Sequence, residues 1–268
     1  MFIKIAKKYG LTTIVHSHST SNGSGLKSYI KNVLQIPLKR KSDYLFACSN
    51  ISGEWLFGKK ALALPNYKLI KNAIDTDKYR LNEEMRAAYR NNFQISDKIV
   101  YGHIGRLSEP KNHKFLLDVF KDILTIQPNA VLMIVGEGPY RSKIEAQIKA
   151  LDLEQSVIMT GVREDIPQLL GAMDIFLFPS LWEGLPVTVI EAQAAGLPCL
   201  VSNKVTDEVA ITEAVTYLPI DQGTLCWVET AMCAMKKRFQ VIDKIKDAGF
   251  DVYMSAEELV AFYEGLLV

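Results

Sequence analysis

Residues 98–126, KIVYGHIGRLSEPKNHKFLLDVFKDILTI, pass from an unbroken apolar run, through a turn carrying glycine, proline and charge, into an amphipathic helix. A strand that is apolar throughout expects cover on both faces, unlike the alternating strand of a half-solvated sheet. The same unit recurs downstream. AVLMIVG (130–136), SVIMTG (156–161), DIFLFPS (174–180) and PCLVSN (198–203) are further strand candidates, and SKIEAQIKALDL (142–153) is a further helix. Strands alternating with helices predict a parallel sheet with right-handed crossovers, a doubly wound α/β lobe. Upstream, TTIVHSHS (12–19) and YLFACSN (44–50) predict two strands of a separate, small sheet, and LPNYKLIKNAIDTDKYR (64–80) reads as the linker. No repeat of fixed period and no low-complexity tract interrupts this pattern.

The whole chain has 268 residues, enough for two lobes or one large α/β unit. Its 31 Lys and Arg nearly balance 30 Asp and Glu, so bulk attraction to nucleic acid is not expected. The charge is uneven locally. Residues 1–42 carry Lys4, Lys7, Lys8, Lys27, Lys31, Lys39, Arg40 and Lys41 with no acid before Asp43. That stretch reads either as solvated helix faces or as a basic surface for anionic lipid or a phosphate-bearing acceptor. Cys48, Cys199, Cys226 and Cys233 lack CxxC spacing, and most sit in apolar surroundings as reduced thiols do, which predicts a cytoplasmic protein. No apolar run approaches the ~20 residues that span a bilayer, and MFIKIAKKYG is too short and interrupted for a signal peptide.

Ligands of open parallel sheets gather at the carboxyl ends of strands. After the first strand come Arg106 and Lys111; Gly105 lets the backbone turn, and the following helix start favours an anion, so the pair reads as a phosphate clamp or else as two solvated side chains. GEGP (136–139) lacks the third glycine of a dinucleotide fingerprint and follows the wrong strand, so it reads as a tight turn. In GVRED (161–165), Val162 and Arg163 either line a planar base or form a plain loop. In WEGLPVTVIEAQAAGLP (182–198) a helix is expected from Pro186, with Glu183 in the loop ahead of it and Glu191 on the face shared with Val187, Ile190 and Ala194. A carboxylate on a sheet-facing surface needs donors: a pair of ribose hydroxyls, an internal lysine, or its own proton. The leading N–H groups at Val187 and Thr188 suit a diphosphate. Four histidines, with no HExxH and no DxD at a strand end, give a metal site little support.

With these pieces in order, the chain resembles the retaining glycosyltransferases of family 4, which have the two-lobed GT-B fold of paired Rossmann-like domains. The resemblance rests on the E-x7-E spacing of Glu183 and Glu191 within PSLWEGLPVTVIEAQAAGLPCLVS (179–202), on GRLSEPKNH (105–113) and on IKNAIDTDKY (70–79), and runs from about residue 12 to the end. The wording of HSHST, ACSNISGEWLFG and IEAQAAGLPCL is similar to bacterial enzymes that build exopolysaccharide or capsule repeat units. The resemblance implies transfer of a sugar from a nucleotide diphosphate, UDP being common in the family, to a carbohydrate or polyprenyl-linked acceptor without a metal or other cofactor. It implies that Arg106 and Lys111 grip the diphosphate, that Glu191 binds the ribose, and that Glu183 contacts a hydroxyl of the transferred sugar with backbone of Gly184, Leu185 and Val187 nearby. His18 matches a histidine that the first lobe presents toward the donor, with His16 an equally close rival. The implied organisation is a partial acceptor-side lobe over 1–72, a nucleotide-sugar lobe over 73–250 and a crossing helix over 251–268. Strand–helix units that open the family's first lobe have no counterpart ahead of TTIVHSHS. That departure leaves two readings, an active transferase or a donor-binding module without turnover, and predicts an unpaired sheet edge inviting a homo-oligomer. The E-x7-E spacing disfavours an epimerase or phosphorylase of the same fold.

Overall fold

The computed structural model describes residues 2–19, 38–234 and 238–266. Lys27 and Lys31 of the basic stretch lie outside the described residues, as do the side chains of Lys39 and Arg40. The chain divides into two compact units, one formed by residues up to 73 together with those from 258 on, the other by Ile74–Glu257.

In the first unit, helix α1 (Phe2–Lys8) precedes strands β1 (Ile14–Ser17) and β2 (Tyr44–Ala47), helix α2 (Asn50–Phe57) and strand β3 (Tyr67–Leu69). All pairings are parallel, in the order β1-β2-β3. β3 falls inside the stretch read above as linker; its three half-buried residues were too few to show a period. Helix α2 starts where Ser49 accepts from the Ser52 N–H while the Ser52 hydroxyl accepts from the Ser49 N–H, a capping box.

The second unit is built on strands β4 (Ile99–Ile104), β5 (Ala130–Val135), β6 (Val157–Gly161), β7 (Ile175–Phe178), β8 (Cys199–Ser202) and β9 (Val215–Leu218). They form one parallel sheet in the order β6-β5-β4-β7-β8-β9. Interleaved are α3 (Glu83–Asn92), α4 (His113–Ile126), α5 (Arg141–Ala150), α6 (Ile166–Ala172), α7 (Val187–Ala194), α8 (Leu225–Ala234) and α9 (Ile242–Asp247). The unbroken apolar strands are covered on both faces, as their composition requires. Val131, Met133 and Val135 of β5 join a core with α6 and α7, whereas Leu132 and Ile134 join a second core with α4, α5 and α8. The helix after β4 therefore covers one face and the helix after β7 the other. Because β4 and β7 are neighbours, their diverging connections open a crevice at their carboxyl ends, the switch point of the sheet.

Helix α10 (Val252–Glu264) carries the chain from the second unit back into the first. There Phe262 meets the rings of Tyr44 and Phe46 edge-on, and Glu258 pairs with Lys68. Among the described residues no helix is long and apolar enough to cross a membrane. Cys48 and Cys199 are buried, while Cys233 is exposed.

Candidate functional site

The loop after β4 is held as an extension of the sheet: Gly105 N–H donates to Val135 O, Leu107 N–H to Glu137 O and Tyr140 N–H to Leu107 O. This close lacing explains the glycines of GEGP. A Cβ on Gly136 would lie 2.1 Å from Gly105 O, and one on Gly138 2.3 Å from Leu107 O, both backbone obstacles that cannot yield. Gly105 leaves room for Lys111, whose Cε would stand 2.8 Å from an added Cβ. A 3₁₀ turn, Glu109–Lys111, then leads through left-handed Asn112 into α4. Two hydrogen bonds tie this loop to the one after β7: Leu181 N–H to Pro110 O at 2.7 Å and Asn112 Nδ2 to Pro179 O at 3.2 Å.

That lacing brings Lys111 and Glu183 together across the crevice, Nζ 2.8 Å from Oε1 with both side chains mostly buried. Lys111 also lies 4.5 Å from the centroid of the Phe178 ring, so an aromatic face and a carboxylate share its charge. Arg106 is exposed; its carbonyl accepts from the Ser108 hydroxyl, and its side chain makes no hydrogen bond or ion pair among the described residues. Of the two cations read as a pair, one is already engaged and the other reaches into open space.

Helix α7 begins one residue later than its sequence suggests. Pro186 is the cap, at φ −75, and makes no side-chain capping bond. The N–H groups of Val187 and Thr188 open the helix where no preceding turn supplies an acceptor. The hydroxyls of Thr188, in the first turn, and of Ser180, after β7, are buried and have no partner among the described residues. Gly184 and Leu185 stay half-buried in the loop leading in.

Glu191 corrects one expectation. The deepest face of α7 is Val189, Ile190, Ala192 and Gln193, and Glu191 sits at its margin, half-buried. Its partner is not a lysine: the Tyr79 hydroxyl donates to Oε1 at 2.7 Å. Burial raises the Glu191 carboxyl above its ordinary range, while the Tyr79 bond pulls it back; burial and Glu191 together push the Tyr79 phenol up. Gln193 takes the fully buried position, bonding Val189 O, Val209 O and the backbone and hydroxyl of Thr212.

After β6, at the sheet edge, Val162 is 74% exposed and Arg163 is held by Asp165, whose other donor is Tyr89. Arg163 thus has a local structural partner, and Val162 faces solvent. In the first unit His18 is exposed, its ring 3.9 Å from that of half-buried His16. Burial, then the neighbouring His18, lowers His16 to about 4.

Two histidines escaped notice in the sequence. His103 on β4 and His113 at the head of α4 are buried and meet edge to face, 5.0 Å apart, with His103 Nδ1 at 2.9 Å from Leu177 O. Burial holds both far toward neutrality, His113 at about 4 with Lys111 contributing. Tyr79 was equally invisible, since its partner is distant in sequence. Among the described residues, no three His, Cys, Asp or Glu side chains are grouped to hold a metal ion.

The fold is that of an α/β protein whose sheet has a switch point between β4 and β7, with Lys111 and Glu183 paired beside it. The family model described as glycosyl transferases group 1 matches residues 85–226, and the chain belongs to that family. It is 31% identical over 264 residues to the putative glycosyltransferase EpsF of Bacillus subtilis (strain 168), covering 93% of this chain and 67% of that protein. It is 30% identical over 212 residues to the UDP-Gal:alpha-D-GlcNAc-diphosphoundecaprenol alpha-1,3-galactosyltransferase of Escherichia coli, covering 74% of this chain and 53% of that protein. Against the structure of Anabaena Alr3699/HepE in complex with UDP and glucose, the TM-score is 0.81 at 21% identity, over 98% of this chain and 74% of that one. The mixed α/β fold with two parallel, Rossmann-like sheets matches the GT-B glycosyltransferases.

Proposed function

We propose that the second unit binds the nucleoside diphosphate of a nucleotide sugar and that the protein transfers the sugar, with retention as in family 4, to a carbohydrate or polyprenyl-linked acceptor in surface polysaccharide synthesis. One observation carries the reading: where β4 and β7 diverge, Lys111, exposed Arg106 and the open start of α7 present donors that, among the described residues, find no side-chain acceptor beyond Glu183. A diphosphate supplies several acceptor oxygens and two negative charges. Glu191 takes a ribose hydroxyl, Val162 lines the base, and Glu183, steadied by Lys111, takes a hydroxyl of the sugar.

In the transfer, the bond between the anomeric carbon and the diphosphate oxygen breaks with its electron pair leaving on the diphosphate. Arg106, Lys111 and the α7 N–H groups stabilise the charge that grows there, so this chain's own cations do the work a metal does elsewhere. The acceptor hydroxyl oxygen bonds the anomeric carbon on the same face, and its proton passes to the departing phosphate oxygen. Glu183 is ion-paired and is cast as a sugar contact, not a covalent nucleophile. UDP is the proposed carrier, in keeping with the UDP named for the galactosyltransferase and for HepE. The acceptor is met on the cytoplasmic side of the membrane, where the lysines of α1 and exposed Phe2 suit an anionic lipid surface.

Calorimetric titration with uridine, guanosine and adenosine diphosphates, with and without a chelator, tests this. Chelator-insensitive binding of one of them is expected, and Glu183→Gln should weaken the sugar-bearing donor more than the free nucleotide. Failure of all three to bind would overturn the site; binding without nucleotide release from the donor would leave a binding module rather than a transferase.

A further inference from the structure

Tyr79 belongs to a 3₁₀ turn, Thr76–Tyr79, that is clamped from its far side. Ile74 N–H donates to Phe250 O and Val252 N–H to Ile74 O, both at 2.9 Å, and the Thr76 hydroxyl donates to Asp251. Lys246 reaches both Asp77 and Asp251. The Tyr79 ring, only 8% exposed, packs in the core shared with Val189 and Ile190 of α7. Its hydroxyl is therefore a fixed point, 2.7 Å from Glu191 Oε1.

A carboxylate in this half-buried place has two oxygens to satisfy. A lysine would meet the need with a full charge and would compete with any incoming hydroxyl. A phenol donates one hydrogen bond and leaves the negative charge in place. Resting on the reading of Glu191 as the ribose contact, we propose that Tyr79 is a positioning residue: it locks Oε1 and turns Oε2 toward the ribose as a charged, single-oxygen acceptor. Ribose selectivity is then built jointly by α7 and by the turn that opens the second unit.

Tyr79→Phe removes one oxygen and keeps the ring, so the core should be undisturbed. Uridine diphosphate affinity should fall about three- to tenfold, the loss of one hydrogen bond to a charged group in part compensated by water. The affinity of 2′,3′-dideoxyuridine diphosphate should not change, because no ribose hydroxyl is left for Glu191 to receive. Glu191→Gln is measured beside it. If Glu191→Gln weakens uridine diphosphate while Tyr79→Phe does not, the positioning role is overturned and the ribose contact stands. If Tyr79→Phe weakens both nucleotides equally, the residue is a packing element only and the proposal also falls. If Glu191→Gln has no effect on uridine diphosphate, the ribose reading fails and takes the proposal with it.

Discussion

At the amino ends of β4 and β7, Arg86, Arg90 and Arg238 gather near Asp174; at the carboxyl ends of the same strands, Arg106 and Lys111 lie in the loop after β4, and Lys111 pairs with Glu183 in the loop ahead of α7. Both places set cations against helix termini, but the termini are opposite. The first cluster faces helix C-termini, and it is satisfied there. Arg86 donates to Gly171 O and Met173 O, Arg90 to Ala172 O, and Arg238 to Gly171 O, Met173 O and Ala195 O. Those carbonyls are the orphan acceptors that end α6 and α7, and cations belong beside them. At the other end the helix offers N–H donors, so cation and helix cannot satisfy each other. Glu183 meets Lys111 there, and the proposed diphosphate is the third party that would supply acceptors to the rest, making the same residue types structural in one place and, on that proposal, functional in the other.

The largest effect should follow from breaking the satisfied cluster. Asp174 pairs with Arg86 and Arg90 and accepts from Val100 N–H at the start of β4. Asp174→Ala leaves Arg86 and Arg90 without their paired acid and leaves only Glu83 to favour the charge of Arg238, which burial and Arg86 already lower to about 10. A loss of about 3 kcal/mol in urea unfolding is expected, the usual cost of removing one partner from a buried pair. In the fraction that stays folded, nucleotide affinity should be unchanged. Weakened binding there would mean that the two ends are coupled and that the contrast between them is wrong.

Acid should distinguish the ends next. His113 heads α4 at the carboxyl end of the sheet, and its folded value of about 4 lies below the ordinary 6.5 of histidine. Between those values the unfolded chain binds a proton that the folded chain does not, so stability falls as pH drops from 6.5 toward 4 and levels off below. The arginines at the other end do not titrate in this window. His113 should contribute a loss on the order of 2 kcal/mol across that range, given the burial of the ring, and His113→Gln should remove that share while those of His16 and His103 remain. The subtraction isolates His113 from His16, which titrates in the same region. A slope in His113→Gln as steep as that of the unaltered chain would place the acid sensitivity in His16 and His103 instead.

Much of this frame was legible in the sequence. The strands β4 to β8 were visible because apolar runs buried on both faces leave a signal that needs no partner to be read. β9 was not, since VTYL alternates in exposure and is as short as a loop segment. The E-x7-E spacing placed Glu183 ahead of a helix and Glu191 within it, but could not say what each touches. Lys111 meets Glu183 only because two loops are laced by Leu181 and Asn112, and Tyr79 meets Glu191 only because a turn from the opening of the unit packs on α7. The arginine cluster was equally hidden. Arg86 and Arg90 lie on an ordinary capped helix, where sequence alone expects solvated side chains.

The smallest change in free energy, and the most direct trial of the contrast, is Arg106→Ala. An exposed side chain with no partner among the described residues contributes little to folding, so stability should move by no more than about 0.5 kcal/mol. If its role is to meet an anion, uridine diphosphate affinity should nevertheless fall about tenfold, and the loss should shrink as salt screens the charge. Lys111→Met should weaken binding too, but with a stability cost, because Glu183 then keeps its charge in a mostly buried place without its cation. The two variants should therefore separate along two axes, affinity alone for Arg106 and affinity with stability for Lys111. Equal affinity for Arg106→Ala and the unaltered chain at low salt would show that this arginine is merely solvated. The helix start and Lys111 would then have to hold the anion alone, and the unmet donors at this end of the sheet would no longer outnumber what one cation and its carboxylate already satisfy.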